Sequence, residues 1–336
     1  MSIKVEGSVR VDLLGGTLDI TPINYVLPNV VTLNLATSLK AVVEIEETQD
    51  KGVLIVSKDY HSETFFKESD FNEDSLRGET FGPLSFVAQI LSHLNLTTQA
   101  KVTLQSGSPP GAGLGGSSAM GVTLYQAICK YKSISFDRDQ AIKEVNTIEA
   151  RILNCGPAGY QDYYPAVYGG VLALKPIVGG IEVEQLFSQE LKAFLEDHLT
   201  LVYSGQTRLS GINNWEVYKK FFDNDSQTRR GMREICDLSF KAYSALKSND
   251  FSSLIDLIGQ EGELRKGLFP NIQTPEMNQL HEDLLKLQPS IKLKVCGAGG
   301  GGCFLICHPK ELKDSVNKLV EAHQMTKLLF SIEEPL

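Results

Sequence analysis

Residues 108–121 read SPPGAGLGGSSAMG. Glycines at 111, 113, 115 and 116 free the backbone to turn several N–H groups toward one point. Met120, Leu124, Ala127 and Ile128 follow at helical spacing, so a helix starts where the loop ends. Its first-turn N–H groups and positive dipole end add further donors. Together these make a phosphate cradle. A loop ending in Gly-Lys-Ser/Thr would carry its own cation, but this stretch has no lysine. Ser117 and Ser118 offer hydroxyls to a phosphate or to Mg²⁺ instead. A helix cap needs one serine and perhaps one glycine, and four glycines with two serines exceed that need.

Other segments add chemistry of different kinds. Gly297–Gly302 (GAGGGG) lies between two strand-like runs and removes every side chain but that of Ala298, so something large must approach its backbone. In GPAGYQDYYPAVYGG (156–170), Asp162 stands alone among aromatic and small residues. An acid in that setting suits general-base work or the orientation of a hydroxyl, although a lone Asp after a turn is more often a helix N-cap. Glu149, at the end of a helical stretch, reads as a metal carboxylate or as a solvated helix charge. Arg10 and Asp12 share the polar side of the alternating strand SVRVDLL, and Asp19 sits in the turn beyond it. Arg208, in SGQTRLSG, is a candidate for a substrate phosphate or the γ-phosphate, or a surface arginine.

The elements that must hold these residues follow from periodicity. Strands are expected at 8–14, 41–46, 52–57, 101–105, 199–204 and 291–296, and over CFLIC; GGVLALKP is a further one. Helical spacing marks 83–94, the segment after the serines, 138–153, the run Met232–Leu246 and the stretch from Pro309 as first helical residue. The polar run FSQELKAFLEDHLT suggests a domain boundary near residue 190. The 336 residues allow one large or two ordinary domains, at 42% hydrophobic and 22% charged content. A net charge of −9 without a basic block argues against nucleic acid as partner. No apolar run reaches a membrane span of about 18 residues, and the N-terminus lacks a signal-peptide layout. Six cysteines without paired spacing read as reduced cytoplasmic thiols. The scattered histidines argue against a zinc site.

In this order and spacing the segments resemble the GHMP kinases, the family of galactokinase, homoserine kinase, mevalonate kinase and phosphomevalonate kinase. PPGAGLGGSSA is similar to the family's central P-x-x-x-G-L-G-S-S-A motif, VCGAGGGG to its C-terminal motif, and SVRVDLLGGTLD to the first motif in its sugar-kinase form. GPAGYQDYYPAVYGG resembles the segment that carries the catalytic Asp. The resemblance implies an α+β, two-domain fold: residues 1–190 as an ATP-binding domain of the ribosomal protein S5 type, and 191–336 as a ferredoxin-like domain. It implies ATP and Mg²⁺ as cosubstrate and metal. Pro110, Gly111, Gly113, Leu114, Gly115, Gly116, Ser117, Ser118 and Ala119 would wrap the phosphates, and Ser118 and Glu149 would hold Mg²⁺. Asp162 would act as base, and Arg10 falls where mevalonate kinase has a lysine near the transferred phosphate. Gly16, Asp19, Asp162, Arg208, Gly299 and Gly300 would meet the substrate.

Within the family the pattern looks most like the sugar 1-kinases of the D-glycero-D-manno-heptose 7-phosphate kinase and L-fucokinase type. Gly15-Gly16-Thr17-Leu18-Asp19 departs from the Gly-Gly-Gly-Thr-Asp of heptose kinases, Gln161-Asp162-Tyr163-Tyr164 from their Gln-Asp-Gln-Tyr, and Gly116 stands where serine is common. A cytoplasmic kinase acting on an anomeric hydroxyl of a sugar or sugar phosphate, monomeric or homodimeric, is expected. The alternatives are a mevalonate- or phosphomevalonate-type kinase and a non-catalytic nucleotide and sugar sensor.

Overall fold

A computed structural model describes residues 2–153, 157–206 and 212–336. In chain order the elements are β1 (Ser2–Leu14), α1 (Ile23–Val26), β2 (Thr32–Glu47), β3 (Gly52–Ser57), β4 (Ser62–Lys67), α2 (Glu73–Arg77), α3 (Ser85–His93), β5 (Ala100–Gln105), α4 (Gly116–Tyr131), α5 (Arg138–Leu153) and α6 (Tyr164–Tyr168). They continue with β6 (Val171–Ile177), β7 (Gly180–Gln185), α7 (Gln189–His198), β8 (Leu199–Tyr203), α8 (Ile212–Phe222), α9 (Ser226–Lys247), α10 (Leu254–Leu268), α11 (Pro275–Leu287), β9 (Lys292–Val295), β10 (Cys303–Cys307), α12 (Lys313–Ala322) and β11 (Thr326–Lys327).

The chain forms two compact units that interleave in sequence. The first takes 1–9, 39–110 and 115–168; the second takes 10–38, 111–114 and 169–336. In the first unit β4 pairs antiparallel with β3, β3 runs parallel to β5, and β5 pairs antiparallel with the later half of β2, from Val42 to Glu47. Helices α3, α4 and α5 pack on one another, burying Val87, Leu91, Leu124, Ile128, Ile142 and Val145. That apolar spacing makes each helix amphipathic, and the packing stabilises it more than propensity does.

In the second unit, Thr32–Leu35 of β2 pairs with β6, and β6 with β7. A separate antiparallel sheet has the order β11-β8-β10-β9. Numbered from β8 as first strand, that order is 4-1-3-2, and α12 crosses from the third strand to the fourth. This is the ferredoxin-like arrangement, here with α8–α11 inserted before β9. Side-chain caps start several of its helices: Ser188 accepts from Leu191 N at 3.1 Å, Asp225 from Thr228 N at 2.8 Å, and Thr274 from Met277 N at 3.3 Å ahead of Pro275.

The polar stretch FSQELKAFLEDHLT holds α7, with its Ser188 cap and buried Leu191 and Leu195. Two expectations change. Pro309 is not the first residue of a helix but caps a short 3₁₀ turn over Lys310–Leu312 that leads into α12. The polar side of β1 is not open to solvent: from Gly7 to Leu14 both faces of the strand are covered, with Ser8 at 1%, Arg10 at 3% and Asp12 at 2% exposure.

Candidate active site

In the first unit, α4 begins on the glycine loop. Gly115 is the residue before its first turn, at φ +70°, a backbone region that glycine enters without strain. Gly111 and Gly113 also have positive φ, +69° and +74°. Gly111 and Ser117 are exposed and Gly115 and Gly116 half-buried, so the first-turn N–H groups stay reachable. At Gly116 a Cβ would lie 2.6 Å from Ser108 Oγ and 3.0 Å from Ser106 Oγ. The space a serine would use there is already filled by two hydroxyls.

Ser118 lies in the first turn of α4 and is 3% exposed; its Oγ donates to Glu149 Oε2 of α5 at 2.7 Å. Glu149 is 4% exposed, so it is not a solvated helix charge. Burial pushes its carboxyl above the usual range, against hydrogen bonds from Tyr163, Ser118 and Ser117 that favour the ionised form. Tyr163 Oη donates to the same Oε2 at 2.6 Å. Asn146 Nδ2 donates to Tyr163 Oη at 3.0 Å and to the Ala158 carbonyl at 3.0 Å. Asp162 ends the 3₁₀ turn Tyr160–Asp162 and is half-buried. A Cβ placed on Gly115 would come within 3.2 Å of its Cβ and Cγ. The acid thus faces the start of α4.

These donors suit Mg²⁺. They are hard oxygens, one carboxylate and one hydroxyl, and they lie 2.7 Å apart. Neighbouring ligands of an octahedron with bonds of about 2.1 Å sit roughly 3 Å apart. Among the described residues no three His, Cys, Asp or Glu converge on a metal position.

α5 also borders a cavity of about 940 Å³, lined by Arg77, Gln89, His93, Ile148 and Arg151 among others. Its size is sufficient for a nucleoside.

In the second unit the two glycine runs meet through their backbones. A Cβ on Gly302 would lie 2.8 Å from both the Gly111 and Ala112 carbonyl oxygens, and one on Gly113 would lie 2.9 Å from Cys296 O. Cys303 N donates to Ala112 O at 2.7 Å. What approaches the bare loop is therefore the chain itself, and Gly299 is closed in by Ile272, whose Cγ1 a Cβ would meet at 2.3 Å. Arg10 N donates to Leu114 O at 3.0 Å, and its guanidinium donates to Gly113 O. Asp19 is buried at 2% exposure, and Gly16 and Gly300 are half-buried. Arg208 lies outside the described residues.

Below the bare loop is a buried ionic cluster. Lys294 Nζ, at the end of a fully buried side chain, lies 2.6 Å from Asp12 Oδ2 and 3.5 Å from Glu261 Oε1. Arg265 Nη1 donates to Val295 O at 2.6 Å and Nη2 to Gly297 O. Glu261 Oε2 accepts from Gly15 N at 2.7 Å. Burial opposes ionisation of Asp12, but the charges of Lys294 and Arg265 outweigh it and hold the carboxyl below its ordinary range. The cluster fastens the Gly15–Gly16 turn and the entry to the bare loop to α10. Sequence reasoning put Asp12 on an exposed strand face and passed over Lys294, Glu261 and Arg265. The available signal was a lysine at the third position of the four-residue strand entering a glycine run.

A family model for the GHMP kinases N terminal domain matches residues 84–170. That match covers the glycine loop, α4, Glu149 and Asp162. Across more of the chain, it is 26% identical over 325 residues to an L-fucokinase/L-fucose-1-P guanylyltransferase of Bacteroides fragilis, covering 88% of this chain and 33% of that protein. It thus spans a third of that relative's length. It is 24% identical to the D-glycero-alpha-D-manno-heptose 7-phosphate kinase of Campylobacter jejuni over 90% of this chain and 88% of that one. It is 25% identical to a mevalonate kinase of Saccharolobus solfataricus over 78% and 81%. The fold matches that of two solved kinases: Methanococcus jannaschii mevalonate kinase at TM-score 0.76 and 20% identity over 99% of both chains, and a Bacteroides D-glycero-D-manno-heptose 1-phosphate kinase at 0.74 and 19% over 100% and 97%.

Proposed function

We propose that this GHMP-type chain is an ATP-dependent kinase that phosphorylates a hydroxyl of a sugar or sugar phosphate, the anomeric hydroxyl of a heptose 7-phosphate type substrate foremost. The observation that carries this reading is the hydrogen bond at 2.7 Å between Ser118, in the first turn of α4 behind a lysine-free glycine loop, and Glu149 near the end of α5, with Asp162 against Gly115.

Phosphoryl transfer asks the protein mainly for positioning and charge neutralisation. The N–H groups of residues 113–118 and the α4 dipole hold the nucleotide phosphates, and the cavity beside α5 offers the nucleoside a place in the same unit. Ser118 and Glu149 hold Mg²⁺, which when bound neutralises phosphate charge. Asp162 orients the acceptor hydroxyl and takes its proton. An anomeric hydroxyl is more acidic than an ordinary alcohol, so a carboxylate suffices as base. Gly16 and Asp19 meet the sugar, Gly299 and Gly300 close on it, and Arg208 contacts a phosphate. In this reading Arg10 completes the charge balance and fixes Gly113 by its hydrogen bond. The protein acts in the cytoplasm as a monomer or homodimer.

The likeness to mevalonate kinases of similar identity supports a second reading, an isoprenoid alcohol as acceptor. A coupled ADP-release screen over heptose 7-phosphate, fucose, mannose, galactose and mevalonate separates the two. Turnover with a sugar is expected. Turnover with mevalonate alone supports the second reading, and no turnover with any acceptor, despite ATP binding, supports a sensor. Asp162→Asn is expected to abolish transfer while ATP still binds; lost ATP affinity with intact turnover per bound ATP would overturn the assignment.

A further inference from the structure

Tyr163 follows the proposed base in sequence, and its side chain turns to Glu149. It is fully buried, and its hydroxyl has hydrogen-bonding partners in Glu149, Ser118 and Asn146. Asn146 Nδ2 donates to it at 3.0 Å, and it donates to Glu149 Oε2 at 2.6 Å. Asn146 is itself held by the Ala158 carbonyl at 3.0 Å. Because Asn146 occupies an acceptor lone pair of the phenol, the phenolic proton is left to aim at the carboxylate. Oε2 therefore receives two hydrogen bonds, from Ser118 at 2.7 Å and from Tyr163. Such partners fix the orientation of a ligating carboxylate, and their removal typically costs about 10–100-fold in metal affinity.

We propose that Tyr163, oriented by Asn146, is a positioning residue that presents the Glu149 carboxylate to Mg²⁺. The inference rests on the kinase reading above and deepens its metal site. The tyrosine reaches Glu149 through a rigid ring that loses few rotamers on ordering.

The test is a titration of a fluorescent non-hydrolysable ATP analogue onto the full chain, in EDTA and over a series of Mg²⁺ concentrations. In Tyr163→Phe the half-saturating Mg²⁺ concentration should rise by about 10-fold or more, with analogue affinity in EDTA and the thermal midpoint nearly unchanged. Asn146→Ala should move Mg²⁺ dependence in the same direction by less, because the phenol remains but is no longer oriented. Asn146 is half-buried, so this variant also serves if Tyr163→Phe does not fold. Unchanged Mg²⁺ dependence in both variants, or an equal loss of affinity with and without Mg²⁺, overturns the positioning role alone. A wild-type chain whose analogue binding ignores Mg²⁺, or that binds no analogue, overturns the kinase reading and this inference with it.

Discussion

At the scale of single residues, the site depends on atoms that are absent. Gly115 holds φ +70°, and a Cβ there would press on Asp162 from 3.2 Å. Alanine at that position carries two separate penalties. The left-handed backbone costs about 1–2 kcal/mol, and a base displaced by about 1 Å costs on the order of 10²-fold in rate. Gly115→Ala is therefore expected to lower kcat far more than stability, read by steady-state kinetics beside chemical denaturation. A variant that loses stability while keeping its kcat would show that Asp162 does not act from this position. The motifs made these glycines and serines legible, because hydroxyls and bare backbone have few uses in such density. The partner residues were not legible: Tyr163 and Asn146 look like ordinary aromatic and helix-surface residues until the chain brings them to Glu149.

At the scale of elements, charge placement decides how strands and helices are fixed. Lys294 enters the core on β9, where it faces Asp12 and Glu261. Removing one member of a buried ionic group leaves its partners desolvated and unpaired, at a cost of about 3–5 kcal/mol. Lys294→Met should therefore lower the unfolding free energy by about that amount in a denaturant titration; a change within experimental scatter would show the cluster to be energetically idle. A more exposed group makes a pH prediction. Glu184 on β7 receives hydrogen bonds from Lys247 and Tyr243 of α9 and from Lys175 of β6, which pull its carboxyl from the ordinary 4.5 down to about 2. A carboxyl that ionises more easily when folded adds stability that is complete above pH 4.5 and is lost as pH falls towards 2. Glu184→Gln should flatten the acid limb of stability over that window, measured by thermal midpoint against pH. Periodicity revealed β3, β5, α5 and β10 almost to the residue, since each has one clear apolar rhythm. It failed for β1, where Arg10 and Asp12 mimic a solvent face although partners on other elements bury them.

At the scale of the whole molecule, sequence order and packing order diverge. Leu18, Ile23, Leu27 and Val30, from the first tenth of the chain, share one apolar cluster with Val202, Phe221, Ile235, Phe304 and Val320. A fragment beginning at residue 191 would lack those four side chains and the Asp12 partner of Lys294. Such a fragment is expected to show helical far-UV signal without near-UV structure or a cooperative transition. Cooperative melting of the fragment would refute this. The end of the chain is tied in too: Ile332 bridges to Thr37 and Pro335 to Gly169, and Ile332 is fully buried. Deleting residues 328–336 should lower the thermal midpoint by several degrees. None of this was legible along the sequence, because periodicity reports local faces and says nothing of which distant segment covers them.

The meeting of the two glycine runs, main chain against main chain, limits how such a protein diversifies. Where no side chain stands at a contact, substitution has nothing to adjust and can only break it. In a randomised library Gly113 and Gly302 should survive almost unaltered, while tolerated variation gathers at less buried residues that keep a side chain. New acceptor preferences would then arise by changing those residues around an unvarying glycine frame.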